Sequence, residues 1–175
     1  MNIKIHKYNE KIKKAYGENK YADSKMLKNL INDYNNEKRI KKESKKYIVA
    51  KDICVDGIST KITSLKLSKC KNVLSDQVIG IISVYDYANA SLDPDCDNLY
   101  SRSCRNYNYM REFLYDSWTY SAVSDDTYNV YYLNQGIPEY KRANLFMKYY
   151  IVINISGDIT EYTGDGSLEN PYVIK

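Results

Sequence analysis

Histidine is almost missing from this sequence: among 175 residues there is one, His6, in a polar amino terminus. Catalysis by a Ser-His-Asp or Cys-His arrangement needs an imidazole to take the nucleophile's proton, so those classes are set aside. Long apolar runs are missing too. No window approaches the ~18 apolar residues that a membrane helix needs. The opening Met-Asn-Ile-Lys-Ile-His-Lys-Tyr has no apolar stretch to serve as a signal peptide. Either the protein is cytosolic or an export segment is absent from this chain. There is no Cys-x-x-Cys and no histidine near the cysteines, which argues against zinc. Gly164-Asp-Gly-Ser167 lacks the Lys-Ser/Thr ending of a phosphate loop and reads as turn chemistry. No repeat of 20 to 50 residues occurs, and no cofactor motif is present.

What the chain has in quantity is tyrosine, twenty against two phenylalanines and one tryptophan. Its apolar bulk therefore carries hydroxyls, which suits strands and half-wet surfaces. Charge is divided unevenly. Residues 1–75 hold 19 Lys or Arg against 8 Asp or Glu (+11), and residues 76–175 hold 7 against 14 (−7). A basic front half reads as a solvated surface, with nucleic acid or another acidic partner as the sharper alternative. Nucleic acid is disfavoured because the lysines come with few arginines and no recognition motif, and the tyrosines able to stack on bases lie largely in the acidic half.

Four cysteines, Cys54, Cys70, Cys96 and Cys104, allow three pairings. The simplest joins Cys54 with Cys70 and Cys96 with Cys104, closures that stabilise by about 3 and about 2.5 kcal/mol on the loop-entropy model. The alternative is four free, partly buried thiols. Disulfides point to an oxidising compartment.

Along the chain, residues 1–22 are polar and lysine-rich and are expected to be loosely structured. From Asp23 or Ser24 as cap, Met26, Leu27, Leu30, Ile31 and Tyr34 fall on one face of an amphipathic helix over about 24–36. Tyr47–Ala50 and Ile53–Val55 make a short strand that breaks at Asp56-Gly57, and alternation over Ile62–Lys69 predicts a second, whose antiparallel pairing would bring Cys54 near Cys70. Val78–Ile82 reads as a strand buried on both faces. Ser83 caps a short helix, Val84–Ala90, with Asp86 in its first turn. Asp116–Gly136 reads as a hairpin, two β-branched and aromatic runs flanking Ser124-Asp125-Asp126, with Gly136-Ile-Pro138 ending its second strand. Met147–Ile155 is a second central-strand candidate, and turns at Gly157, Gly164 and Asn170 precede a last strand at Tyr172–Ile174.

Two chemical readings of the carboxylates remain. Asp93, Asp95 and Asp97 have the alternation of a calcium loop but fail the EF-hand pattern: Pro94 interrupts, Asn98 stands where glycine is needed and Cys104 where glutamate is needed. A disulfide-stapled surface loop is the plainer reading of Ser91–Glu112, which also carries Arg102, Arg105 and Arg111. Asp86, Asp116, Asp125, Asp126 and Glu139 are available to a carboxylate-based hydrolase, but nothing in their spacing pairs any two.

Gly164-Asp-Gly-Ser-Leu-Glu-Asn-Pro-Tyr-Val-Ile174, Ile79–Ala88, Ser117-Trp-Thr119 and Tyr131–Gly136 together resemble an uncharacterised family of extracellular domains of low-GC Gram-positive bacteria, often placed behind a membrane-anchoring helix. The resemblance covers roughly residues 47–174. One departure is Tyr150-Ile151, where that family carries Arg-Pro. The family's order of capped helix, Trp-containing hairpin and late strand is in turn similar to C-type-lectin-like folds, an analogy of fold alone.

The resulting expectation is an α+β, C-type-lectin-like fold with a central antiparallel sheet and one amphipathic N-terminal helix. Residues 1–46 form a basic segment and 47–175 the main domain. The function expected is a non-enzymatic extracellular or cell-surface binding module for a glycan or a protein, with no metal and no cofactor. Trp118 is expected to anchor the core, and Tyr120, Tyr128, Tyr131 and Tyr132 to carry the contacts.

Overall fold

Ser24 opens the first helix as its hydroxyl predicts. Its Oγ accepts the Leu27 N–H at 3.0 Å, and α1 runs Lys25–Asn35. Met26, Leu27 and Leu30 are buried, whereas Ile31 falls on the rim of the stripe and is 41% exposed. The structure, a computed structural model, describes residues 4–7 (backbone path), 18–61, 64, 69–111, 114–159, 161–165, 169–170 and 173–174.

Five strands form the main sheet: β1 (Lys4–Lys7), β4 (Ser117–Ala122), β5 (Asn129–Asn134), β6 (Ile137–Arg142) and β7 (Phe146–Tyr149), in the order β1-β7-β4-β5-β6. The pairs are antiparallel except β4 with β7, which run parallel at Ser117↔Lys148, so the sheet is mixed and not purely antiparallel. Two small sheets pair β2 (Lys51–Cys54) with β3 (Val73–Gln77), and β8 (Tyr162–Thr163) with β9 (Val173–Ile174). Besides α1 there are three short helices, α2 (Lys42–Lys45), α3 (Val84–Asn89) and α4 (Arg102–Arg105). The class is α+β.

The Asp116–Gly136 hairpin forms as expected, and it does not stop there. Gln135 (φ +51°) and Gly136 (φ +80°) make a tight turn, and the chain returns as β6, pairing Asn134 with Ile137 and Leu133 with Pro138. Pro138 is tolerated because β6 is the outer strand. Glycine is required at 136: an added methyl would strike the Tyr87 hydroxyl as well as strain the backbone.

Three other expectations change. Val78–Ile82 is buried through Ile79, Ile81 and Ile82, but it is no strand. Its ladder is reduced to Gly80 exchanging two hydrogen bonds of 2.9 Å with Val152, and the Tyr120 N–H reaching Ile82 O at 3.0 Å. Met147–Ile155 divides: Met147 and Tyr149 of β7 are buried, but Ile151, Ile153 and Ile155 beyond it are 46%, 38% and 50% exposed. β2 pairs with β3, and the strand expected over Ile62–Lys69 lies mostly outside the described residues.

Within 1–22, the described residues 4–7 and 18–22 take a definite part in the fold. Lys4–Lys7 pairs with Phe146–Tyr149. Asn19 is buried and its amide donates to the carbonyls of Val123 (2.8 Å), Asp126 (3.1 Å) and Asn129 (2.9 Å), while its own N–H donates to Thr127 O. One side chain thus clamps the hairpin loop.

Both faces of β4–β5 are covered. On one, Trp118, Val130 and Tyr132 pack with α1 and Ile79, Ile81, Met147 and Tyr149. On the other, Tyr131 packs with Ile58, Val84, Tyr85 and Leu99, and Leu133 with Ile82, Tyr87 and Leu114.

Candidate binding site

Two extra residues on β4 create the feature that shapes the candidate site. Trp118 pairs with Tyr132 and Ala122 with Val130, so four steps on β4 face two on β5 and the strand bulges over Thr119–Ser121. Buried polar groups hold the bulge: Thr119 Oγ1 donates to Tyr131 O (2.9 Å), and Ser121 Oγ accepts the Val84 N–H (3.1 Å). The redirected strand lends its Tyr120 N–H to Ile82 and turns the Tyr120 ring into a cleft of about 320 Å³.

The cleft is walled by Lys51 and Asp52 of β2, Gln77 at the end of β3, Gly80, and Ser83 and Asp86 at the start of α3; Asn154 closes it. Tyr120 stacks on Tyr21 at 5.4 Å. Burial first, then the charge of Asp86, pushes the Tyr120 hydroxyl up to about 12, against a smaller opposite effect of its hydrogen bond with Ser83. It stays a neutral donor. The cleft therefore presents an aromatic wall beside hydrogen-bond donors and acceptors.

Of the expected contact residues, Tyr120 lines this cleft. Tyr128 is half-buried beside the hairpin loop. Tyr131 and Tyr132 are inside, because the expectation assumed one wet face and the sheet has none there. Tyr131 is fully buried, 5.9 Å edge-on from Tyr140, with its hydroxyl on Tyr100 and Ser59. Tyr132 donates to Glu139 and lies under Lys141, whose Nζ is 4.4 Å from the ring centre. Burial raises both phenols. Trp118 is fully buried, edge-on to Tyr132 at 6.3 Å, the core anchor it was expected to be.

Both disulfides pair sequence neighbours, Cys54–Cys70 with Cα atoms 5.8 Å apart and Cys96–Cys104 at 4.3 Å, and no cysteine is free. Asp56 lies close to the first pair, yet the grouping is not a ligand set: the sulfurs are joined to each other, and the carboxylate accepts the N–H groups of Lys71 (2.8 Å) and Asn72 (2.9 Å). The Lys71 bond leads in holding Asp56 below the usual carboxylate range.

Most of the other candidate carboxylates have local tasks, and Asp116 sits at φ +47° at the start of the hairpin. Asp93 accepts the Asp95 N–H (3.0 Å) and Asp97 the Asn98 amide (2.9 Å), and with Asp95 they form no converging group among the described residues. Asp86 and Ser83 make a reciprocal cap. Asp126 accepts the N–H groups of Tyr128 and Asn129, and Glu139 the amide of Asn134. Asp125 binds the Thr60 hydroxyl (2.6 Å), the Thr60 N–H (2.8 Å) and Ser59 (3.1 Å), which hold it down at about 2. Asp52 and Asp86 do share the cleft, but Asp52 is engaged with the Asp76 N–H (3.1 Å) as Asp86 is with its helix.

Lys51, Asp52, Gln77 and Asn154 were not anticipated. They come from three separated segments, and no local pattern marks them. The chain matches no protein-family model, and it is matched by neither a curated protein nor a solved structure.

Proposed function

We propose that this chain is a non-enzymatic binding module of the extracellular space or cell surface that holds a sugar unit of a surface glycan in the Tyr120 cleft. The observation that carries the reading is the bulge, which takes a tyrosine out of an otherwise buried strand and sets it among Asp52, Gln77, Asp86 and Asn154. Bulges recur where a strand must re-aim a side chain. A volume of about 320 Å³ lies at the small end of ligand pockets, roughly 300–1,000 Å³.

Two closed disulfides support an oxidising compartment. No described helix is long and apolar enough to cross a membrane. The mixed α+β arrangement, with a capped helix, a Trp-containing hairpin and a following strand, supports a C-type-lectin-like relation as the architecture behind this use.

The test is a titration of isotopically labelled protein with neutral oligosaccharides followed by NMR. The reading expects shifts at Gln77, Tyr120 and Asn154 and about tenfold weaker binding for Asn154→Ala, the loss of one hydrogen bond to a neutral ligand. Absence of shifts at these residues with every sugar tried overturns the cleft as a glycan site. Four alkylatable thiols in freshly isolated, non-reduced protein overturn the compartment.

A further inference from the structure

The loop between α3 and β4 is braced by hydrogen bonds among its described residues and back to α3. Ser91 Oγ donates to the carbonyls of Ser103 (3.0 Å) and Asn106 (3.1 Å), the Leu92 N–H reaches Tyr107 O, and Asn108 donates to Tyr87 O (2.7 Å) and Cys104 O (3.2 Å). Cys96–Cys104 closes it covalently. The loop is therefore a braced frame, and the residues that line its groove are apolar, amide-bearing or cationic, whereas the exposed Asp95 and Asp97 lie outside that lining. Leu92, Tyr107 and Tyr109 are 76%, 79% and 65% exposed. Tyr107 is held at φ +53°, a left-handed conformation rare outside glycine and typical of residues fixed for a purpose.

Arg105 and Arg111 line the same open groove of about 450 Å³, and none of the described residues lining it is acidic. Neither guanidinium has a carboxylate within ion-pair distance among the described residues. This is a local reversal of charge, since residues 76–175 carry −7 in all. Under the arginine stems lies the Tyr87 hydroxyl, buried and without a hydrogen-bond partner among the described residues; a methyl at Gly136, which would strike it, lies 3.3 Å from Cγ of both arginines. Burial pushes that hydroxyl up to about 12, while the charges of Arg111 and Arg105 act in the opposite sense, as two nearby cations must.

We propose that this groove is a second binding site, for an acidic saccharide, in which Arg105 and Arg111 take a carboxylate or sulfate and Tyr107 and Tyr109 pack on the apolar face of the sugar ring. Unpaired arginines beside exposed tyrosines are the composition of binding hot spots, and the planar guanidinium fork matches both anions. An acidic peptide fits less well. Extended peptides add to a free strand edge, and none of the residues lining the groove belongs to a strand. The site stands apart from the Tyr120 cleft and does not depend on it.

Calorimetric titration of the intact chain tests the idea, with oligogalacturonate as the carboxylate probe, a chondroitin sulfate oligosaccharide as the sulfate probe, and a neutral oligosaccharide and polyglutamate as competitors for the explanation. Binding of one or both acidic saccharides is expected, weakened about tenfold by either Arg105→Gln or Arg111→Gln, weakened further by salt, and unchanged by Arg102→Gln, an exposed arginine of α4 that does not line the groove. Which of the two acidic probes binds tells carboxylate from sulfate. Equal or tighter binding of polyglutamate overturns the saccharide, as does binding of the neutral sugar through Tyr107 and Tyr109 without loss in the arginine variants. No binding by any probe, or an equal loss in Arg102→Gln, overturns the site. A neutral sugar that shifts Gln77 and Asn154 alone speaks to the cleft and leaves this groove unsupported.

Discussion

The β4–β5 hairpin and the 91–111 loop both carry tyrosines, and they place them oppositely. Tyr131 and Tyr132 on β5 are 0% and 2% exposed, with hydroxyls bonded to Tyr100, Ser59 and Glu139, whereas Tyr107 and Tyr109 of the loop are 79% and 65% exposed. The side chain is the same; the surroundings decide. A strand presents its residues to alternate faces, and here both faces meet packed elements, so consecutive tyrosines are both interior. The loop is fixed through its backbone and through Asn108, which leaves Tyr107 and Tyr109 largely uncovered by the rest of the protein. In this chain tyrosine content marks core in one region and display in the other.

The contrast can be broken most strongly by truncation. Tyr131→Ala is expected to destabilise by about 3–5 kcal/mol, the range for a large aromatic removed from a core, against about 0.5 kcal/mol or less for Tyr107→Ala at the surface. Denaturant midpoints of the two variants check it, and similar losses would mean the loop tyrosine packs as the hairpin one does.

A smaller effect concerns what holds the loop. Replacing Cys96 and Cys104 with serine is expected to lower stability by about 2.5 kcal/mol on the loop-entropy model. It should also spread the amide signals of 91–111, while those of the hairpin stay put. Heteronuclear NMR of the variant reads both, and an unchanged loop would show that the Ser91 and Asn108 hydrogen bonds suffice alone.

The smallest effect at neutral pH, zero by its nature, emerges in alkali. Burial raises seven tyrosines, Tyr21, Tyr85, Tyr87, Tyr120, Tyr131, Tyr132 and Tyr149, above the ordinary 10.0. A phenol raised in the folded chain is still neutral when its unfolded counterpart has ionised, so the stability it contributes is full below 10 and is lost as pH rises from there towards 12. Absorbance of tyrosinate should show these seven ionising late and together with unfolding. A single step near 10 for all twenty would place the hairpin's rings in water.

Local chemistry was the legible part of the fold. Ser24 and Ser83 cap helices because a hydroxyl before an apolar-periodic run has few other uses, and the cysteines pair with their sequence neighbours. Features that depend on neighbours were not legible. The apolar run 78–82 signals burial, and burial here comes from α1 and the hairpin instead of flanking strands. Proline at 138 reads as a terminator until β6 is known to be an edge. At the candidate site Tyr120 could be named but not its surroundings, since the bulge arises from how β4 and β5 register, and Asp52, Gln77 and Asn154 reach the cleft from elsewhere.

Asn19 and the first strand bear on the order in which the fold can be completed. The Asn19 amide reaches carbonyls 104, 107 and 110 residues ahead of it, and Lys4 pairs with Tyr149. Contacts of such separation raise contact order, and their loop-closure entropy must be met before the contact gives anything back. A chain emerging from its amino terminus carries both elements unpaired until β5 and β7 exist, so the sheet gains its outermost strand, and the hairpin loop its clamp, only after most of the sequence is present.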